Sequence, residues 1–128
     1  KSDTNPYKNC LHLDCCFQPL GLGHVLVYPE GFKNPNDLHI ISDIFGKDNV
    51  VFISDIEMYN MFSNIFSISK SDIVSDVYFT RLNDLLTSKG YNVECISFSE
   101  TSKMGGLFRC ATLPLERLWL IHIYHILF

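Results

Sequence analysis

The sequence predicts an α/β fold built from two similar units. Each unit has the order strand, strand, helix, strand over about fifty residues, and the second unit repeats the order of elements more than their residue identities. The chain has 128 residues, of which 47% are hydrophobic and 19% are charged, so it can bury one hydrophobic core and forms at most one domain. The repeated order favours a modular α/β architecture.

The first strand of the first unit is predicted at residues 9–17, where apolar and polar side chains alternate. Because alternate residues of a strand share a face, His12 and Asp14 would lie together on one side. Asn36 is suited to cap the helix of this unit, and Gly46 to end it. The remaining elements are a strand, that helix and a short buried strand, at residues 24–28, 37–45 and 50–53.

The second unit repeats this order. Two strands are joined by a polar turn, a helix carries apolar residues at helical spacing, and a last strand alternates again. Gly90 would end the helix. These elements are predicted at residues 64–69, 73–77, 78–89 and 91–98.

Composition limits the classes of partner. The formal net charge of −4 disfavours nucleic acid and is compatible with a cationic substrate. Five cysteines without a CxxC pair favour a reduced, cytoplasmic location. The chain starts at Lys1 in a polar run, which suggests a cut rather than a targeting segment. With no apolar run long enough to cross a bilayer, we expect no membrane partner.

A glycine turn followed by a cysteine is the first candidate for a functional site. Gly105 and Gly106 allow a tight turn and a close approach to a ligand, and Cys110 follows four residues later. A thiol just after such a turn can present its sulfur to a substrate. The alternative is that Cys110 is a small buried hydrophobic residue, as most free cysteines are.

His12 and Asp14 are the second candidate. A histidine can transfer protons near neutral pH, and a carboxylate beside it can orient the imidazole or bind a cation. The alternative is a hydrogen-bonded core histidine and a solvated aspartate at a strand end. A metal site formed by Cys10, His12, Cys15 and Cys16 would need a bent strand, because Cys15 faces away from the other three.

Two motifs in this order resemble a known family. They are HLDCCF at residues 12–17 and GGLFRCATLPL at residues 105–115, with NIFSI at 64–68 and ETSK at 100–103 between them. Over residues 11–117 the chain resembles the guanidino-group-modifying (pentein) superfamily, which includes arginine deiminases, dimethylarginine dimethylaminohydrolases and amidinotransferases. The resemblance implies an α/β propeller of five ββαβ modules, of which residues 1–128 would be the C-terminal part.

The resemblance also implies roles for individual residues. His12 corresponds to the catalytic histidine, Asp14 to a carboxylate that binds the guanidinium group, and Cys110 to the nucleophile. Further carboxylates would lie in the N-terminal part of a longer protein. Arg109 departs from the deiminase branch, which usually has a histidine there, and this departure bears on the identity of the substrate more than on the chemistry.

The implied activity is hydrolysis of a C–N bond in arginine or methylated arginine through a cysteine thioether. Amidino transfer to an amine is an alternative, and so is a chain that is inactive by itself. The partner is a small guanidinium substrate, without a cofactor or metal, and a homodimer is an expectation for the longer protein.

Other residues receive structural interpretations. Asn64 is expected to have a turn role, and Cys10, Cys15, Cys16 and Cys95 are expected to be buried thiols. Residues 118–128 form an atypical apolar tail without glycine, proline or formal charge. We expect either a read-through or frame-shifted end, or a strand whose neighbours are missing, and removal of this tail should improve solubility.

Overall fold

The structure, a computed structural model, describes residues 4–115 and contains two three-stranded sheets of the same topology. In each sheet the first two strands are antiparallel, and the second and third are parallel. The first sheet comprises β1 (Phe17–Pro19), β2 (Val25–Val27) and β3 (Val50–Phe52), and the second comprises β4 (Phe66–Ser67), β5 (Asp72–Asp76) and β6 (Asn92–Ile96).

Each parallel pair is joined by a helix that crosses over the sheet, as parallel neighbours require. Helix α1 (Asn36–Phe45) connects β2 to β3, and α3 (Thr80–Ser88) connects β5 to β6. The predicted repeat of strand, strand, helix, strand is therefore confirmed, and the fold is mixed α/β. Two short helices were not predicted, namely α2 (Asp55–Tyr59) and α4 (Ser99–Ser102).

The predicted strand at residues 9–17 is wrong over most of its length. Only Phe17 falls in β1, and residues Leu13–Cys15 form a 3₁₀ turn in which the backbone N–H of Cys16 donates to the carbonyl of Leu13 at 2.9 Å. The neighbouring strand explains this. After β2 ends at Val27, the backbone turns away from the first strand through a second 3₁₀ turn, Pro29–Gly31. The residues before Cys16 therefore have no strand to pair with. His12 and Asp14 thus lie on a turn rather than on a strand face.

The two units share one main core. Leu20, Leu26 and Val51 of the first unit pack in the same cluster as Ile65 and Leu82 of the second. The central strand β2 is fully buried on both faces, because Val25 and Val27 pack towards α1 while Leu26 points to the shared core. The site described below lies on turns anchored to this core.

Polar contacts also join the units. Ser54 and Glu57 form a capping box at the start of α2, and Arg81 of α3 donates Nε to Glu57 Oε1 at 2.5 Å and Nη2 to Glu57 Oε2 at 2.7 Å. Arg81 Nη2 also donates to the carbonyl of Phe52 at 3.3 Å. This guanidinium fixes the end of β3 against the second unit.

Within residues 4–115, the structure contains no helix with the length and hydrophobicity to cross a membrane. The apolar tail at residues 118–128 lies outside the described residues.

Candidate active site

Cys110 lies in a turn held by two buried neighbours. Leu107 and Phe108 are in the main core, at 0% and 5% exposure, whereas Cys110 itself is exposed. Gly105 has a positive φ of 83°, a conformation that favours glycine. A Cβ added to Gly106 would lie 3.0 Å from Cβ of Cys110, closer than ordinary van der Waals contact. The two glycines therefore allow the chain to pass directly beside the cysteine.

The 3₁₀ turn at the start of the chain brings His12 and Asp14 to the same place. His12 is exposed, and its Nδ1 lies 3.7 Å from Sγ of Cys110. One ligand atom each from His12, Asp14 and Cys110 lies within 4.8 Å of the others. The three residues singled out as catalytic or substrate-binding are thus neighbours in space, although His12 and Cys110 are 98 positions apart in the sequence.

Asn64 organises this group and was missed as a site residue. It is fully buried, and its Nδ2 donates to Asp14 Oδ2 at 3.1 Å and to Cys110 Sγ at 3.1 Å. Its Oδ1 accepts from the backbone N–H groups of Arg109, at 2.9 Å, and Cys110, at 3.3 Å. One amide therefore connects the carboxylate, the thiol and the backbone of the cysteine turn.

A tight turn delivers Asn64 to this position. The backbone N–H of Asn64 donates to the carbonyl of Met61 at 2.9 Å, and Met61 has a positive φ of 61°. Such a φ is uncommon for a residue with a side chain. The expected turn role of Asn64 is therefore only part of its function, since the same residue also binds Asp14 and Cys110. The signal available in the sequence was an asparagine with an expected turn role, located between the two motifs of the predicted site.

The second oxygen of Asp14 has a different environment. Asp14 Oδ1 is buried and has no hydrogen-bond partner among the described residues. A buried carboxylate oxygen without a donor is unfavourable unless a ligand supplies one. Of the two carboxylate oxygens of Asp14, Oδ2 thus accepts a hydrogen bond from Asn64, and Oδ1 has no donor among the described residues.

His12, Asp14 and Cys110 are also the group of side chains that could hold a metal ion among residues 4–115. The metal set considered from the sequence, with Cys10, Cys15 and Cys16, is not brought together in that part of the chain. Cys15 is buried at 2% exposure against Met58 and Tyr28, and burial raises the pKa of its thiol.

The remaining thiols differ from the prediction in part. Cys15 and Cys16 are buried as expected, Cys10 is half-buried, and Cys95 is exposed. Cys95 lies on β6, which has one paired neighbour in its sheet and is largely exposed, so the prediction of a buried thiol there is wrong. Its sulfur accepts a hydrogen bond from Asn83 Nδ2 at 3.3 Å.

Comparison with known proteins agrees with the fold and the motifs. No protein-family model matches the chain. The chain is 30% identical over 111 residues to the uncharacterised protein YkgA of Bacillus subtilis (strain 168), covering 87% of this chain and 37% of YkgA. It is 28% identical over 102 residues to ArgZ, a bifunctional arginine dihydrolase/ornithine cyclodeaminase of Synechocystis, covering 80% of this chain and 14% of ArgZ.

Solved structures give the same result. The N-terminal domain of ArgZ, described as an arginine dihydrolase bound to product, matches with a TM-score of 0.73 at 25% identity, over 83% of this chain and 38% of that domain. The SxtG amidinotransferase of Microseira wollei shares the fold, with a TM-score of 0.65 at 20% identity, over 84% of this chain and 32% of SxtG.

The chain is therefore similar in sequence and in fold to an arginine dihydrolase, and in fold to an amidinotransferase. The resemblance of this chain to the guanidino-group-modifying (pentein) superfamily is confirmed. The chain spans little more than a third of the length of YkgA, at 37%, and 14% of ArgZ.

Proposed function

We propose that this chain is the C-terminal part of a guanidine hydrolase acting on arginine or a methylated arginine, and that it contains the nucleophilic cysteine. The observation that carries the proposal is the meeting of Cys110, His12 and Asp14, with Sγ of Cys110 3.7 Å from Nδ1 of His12. ArgZ, which is described as an arginine dihydrolase, supports arginine as the first substrate to test.

Asp14 would bind the guanidinium group of the substrate. A guanidinium is planar and permanently charged, and a carboxylate holds it by charge-assisted hydrogen bonds that fix its plane. The open Oδ1 of Asp14 supports this role, because a substrate N–H would supply the donor that this oxygen lacks. Asn64 donates a hydrogen bond to the other oxygen, Oδ2, and so would hold the carboxylate in a fixed orientation.

Cys110 would act as the nucleophile and His12 as the proton carrier. The thiolate attacks the central guanidinium carbon, and His12 gives a proton to the departing amine, which leaves an amidino-thioether on Cys110. His12 then removes a proton from water, and the resulting hydroxide attacks the same carbon while the C–S bond breaks. The donor from Asn64 Nδ2 to Sγ supports negative charge on the sulfur.

The two ββαβ units would be two modules of an α/β propeller, and residues 1–128 would be the C-terminal part of a single catalytic domain. The pair of identical three-stranded topologies supports this arrangement. In that domain the remaining modules would supply the acidic partner of His12 and at least one more substrate carboxylate.

A turnover assay tests the proposal. The protein containing these residues, at the length of its relatives, is supplied with arginine, methylated arginine or agmatine, and amine release is measured. We expect Cys110→Ser to abolish turnover while the fold is retained, and undiminished turnover by this variant would contradict the proposal. Amidino transfer to added glycine would identify a transferase instead.

A labelling experiment tests the site in the 128-residue chain itself. A haloacetamidine carries a planar cation beside its reactive carbon, whereas iodoacetamide is neutral. We expect Cys110 to prefer the cationic reagent and Asp14→Asn to remove the preference. Asp43→Asn, an exposed aspartate on α1, is the matched control. Equal preference in the two variants would contradict the role of Asp14.

A turnover assay on the 128-residue chain tests whether this part is catalytically active by itself or only retains the geometry of the site. Robust turnover of arginine, methylated arginine or agmatine by residues 1–128 alone would refute the interpretation of this chain as inactive by itself. Its absence, together with selective labelling of Cys110, would place the missing groups in the other modules.

A further inference from the structure

Two thiols outside the proposed catalytic group lie on either side of the turn that carries His12 and Asp14. Cys16 belongs to a buried cluster with Tyr28 and Ile53, and Cys10 packs against that cluster. Both sulfurs stand over Gly31, and a Cβ added there would lie 3.1 Å from Sγ of Cys10 and 3.3 Å from Sγ of Cys16. The absence of a side chain at Gly31 therefore creates the space that the two sulfurs share.

We propose that Cys10 and Cys16 are a reversible oxidation site that closes to an intramolecular disulfide. This inference is independent of the proposed function, because it requires neither substrate nor turnover. A disulfide needs the two sulfurs to approach to a bond length of about 2.0 Å. Cys16 follows the Leu13–Cys15 turn directly, and its backbone carbonyl accepts from the Tyr28 N–H at 2.9 Å, so a movement of the two side chains alone keeps this hydrogen bond.

The environments of the two thiols give them different roles. Hydrogen bonding from Cys10 lowers the pKa of Cys16, while the same hydrogen bond and burial raise the pKa of Cys10. Cys16 therefore becomes the thiolate more readily and is the attacking sulfur. Cys10 is half-buried, which leaves a small oxidant a way to the pair, and it acts as the resolving thiol.

Hydrogen peroxide is an oxidant of suitable size. The Cys16 thiolate attacks one oxygen, the O–O bond breaks, and with one proton the products are a sulfenic acid and water. The Cys10 sulfur then attacks the sulfenic sulfur, the S–O bond breaks, and a second water leaves with the Cys10 proton. Two thiols are oxidised to one disulfide and the peroxide is reduced to two waters. A dithiol reductant reverses the reaction by thiol exchange.

The position of the pair gives the oxidation a consequence. The ring closed by the disulfide would run through residues 10–16 and so include His12 and Asp14. In the reduced chain, Sγ of Cys16 contacts the carbonyl of Leu13 at 3.2 Å, inside the turn that carries these two residues. Oxidation would replace that contact by a covalent link across the base of the turn.

Peptide mapping of the full chain tests the proposal. The chain is oxidised with peroxide, its remaining thiols are alkylated under denaturing conditions, and it is cleaved on the N-terminal side of Asp14, which separates Cys10 from Cys15 and Cys16. We expect a disulfide to hold the two peptides together until reductant is added. Cleavage into two unlinked peptides would overturn the proposal.

Matched variants identify the partner sulfur. We use a Cys95→Ser/Cys110→Ser background to remove the two exposed thiols, and measure the loss of two hydrogen atoms by intact mass. This loss should persist in Cys15→Ala and disappear in Cys16→Ala and in Cys10→Ser. If the mass change persisted in Cys10→Ser, the disulfide would join the vicinal Cys15 and Cys16. If the mass change disappeared in Cys15→Ala, Cys15 would be one of the two bonded cysteines. Either result would contradict the assignment.

Discussion

At the scale of single residues, the side-chain amide of Asn64 connects most parts of the candidate site. Asn64 uses both ends of its side chain, with Nδ2 directed at Asp14 and Cys110 and Oδ1 directed at the backbone of Arg109 and Cys110. All of these contacts are made by a side chain with no exposed surface. Because buried polar groups are costly when unpaired, the loss of this amide would affect several partners together.

Replacing Asn64 by alanine tests this role. We expect Asn64→Ala to lower the free energy of unfolding by about 1–3 kcal/mol, because the Cys110 N–H loses its side-chain acceptor and the Arg109 N–H keeps only the carbonyl of residue 64, at 3.4 Å. We also expect alkylation of Cys110 to slow by roughly fivefold, the equivalent of about one hydrogen bond to the sulfur. Urea unfolding and mass-spectrometric alkylation rates check the two effects.

Asn60→Ala is the matched control, because Asn60 is exposed and its Nδ2 donates only locally, to the carbonyl of Ile56 at 2.7 Å. This control should leave the alkylation of Cys110 unchanged. Unchanged alkylation in Asn64→Ala as well would show that the amide is a structural support alone.

Gly106 provides a second test at the same scale. A Cβ at this position would press on Cβ of Cys110 at 3.0 Å, so Gly106→Ala should displace the thiol and change its distance from His12. We expect a change of several-fold in the alkylation rate of Cys110. Gly23→Ala is the control, because Gly23 has a positive φ of 87° but a Cβ added there would meet no atom within 4 Å.

Gly23→Ala should therefore cost stability, at about 1 kcal/mol, without altering the thiol. If both glycine variants changed Cys110 alkylation equally, the effect of Gly106→Ala would come from general destabilisation rather than from the close approach.

The members of the candidate site were predicted unevenly from the sequence. His12, Asp14 and Cys110 were singled out through their motifs, and the structure brings them close together. Asn64 was interpreted as a turn residue, because its partners are 50 and 46 positions away in sequence and no local pattern records such contacts. The Cys95 prediction failed for a related reason, since the exposure of a strand depends on what packs over it.

At the scale of elements, hydrophobic alternation gave most strands but misassigned residues 9–17. Alternation measures only whether a segment could form a strand, whereas a strand also needs a hydrogen-bonding neighbour. The neighbouring strand β2 ends at Val27, so the segment before Cys16 forms some of its backbone hydrogen bonds within a 3₁₀ turn instead. Helix α2 was missed because it has only five residues, although Ser54 and Glu57 show the spacing of a capping box.

The capping glutamate of α2 gives a pH-dependent prediction. Burial raises the pKa of Glu57, but hydrogen bonds from Arg81 and Ser54 outweigh it, and the net pKa lies below the usual 4.5. A lowered carboxyl pKa means that the contribution to stability is complete above 4.5 and is lost as the pH falls through the folded-state pKa.

We therefore expect Glu57→Gln to cost about 1–2 kcal/mol near neutral pH, discounted for the half-exposed Arg81, and much less near pH 3. Denaturant unfolding at the two pH values measures the difference. Glu30→Gln, which affects an exposed ion pair with Lys8, should cost less stability than Glu57→Gln because solvent screens an exposed pair. Equal costs for Glu57→Gln at both pH values would contradict the prediction.

At the scale of the whole molecule, the repeated order of elements was predicted correctly because it depends on periodicity alone. The way in which the units join was not predicted, since it depends on long-range polar contacts. Tyr91, just before β6, reaches the turn between β1 and β2, where its hydroxyl accepts from the Leu22 N–H at 3.1 Å and lies 3.0 Å from His24 Nδ1. Tyr91 is 3% exposed, and its two partners Leu22 and His24 are half-buried.

The contact between the units makes His24 sensitive to pH. Because the Tyr91 hydroxyl accepts from Leu22, it is free to donate its own proton to a neutral His24. Burial lowers the pKa of His24 below its usual 6.5, and the nearby Lys89 lowers it further. As the pH falls through 6.5, His24 takes up a proton in the unfolded chain before it does so in the folded protein.

The protein should therefore lose stability between pH 6.5 and the lower pKa of folded His24, above the range in which Glu57 titrates. We expect His24→Asn, which can offer an oxygen near the position of Nδ1, to remove this loss while keeping most of the stability at about pH 7.5. His39→Asn, at an exposed position on α1, is the control and should keep the wild-type pH dependence. Urea unfolding of the three proteins from about pH 7.5 to about pH 5.5 measures the slopes. If His24→Asn loses stability as steeply as the wild type over this range, the junction between the two units does not depend on a neutral His24.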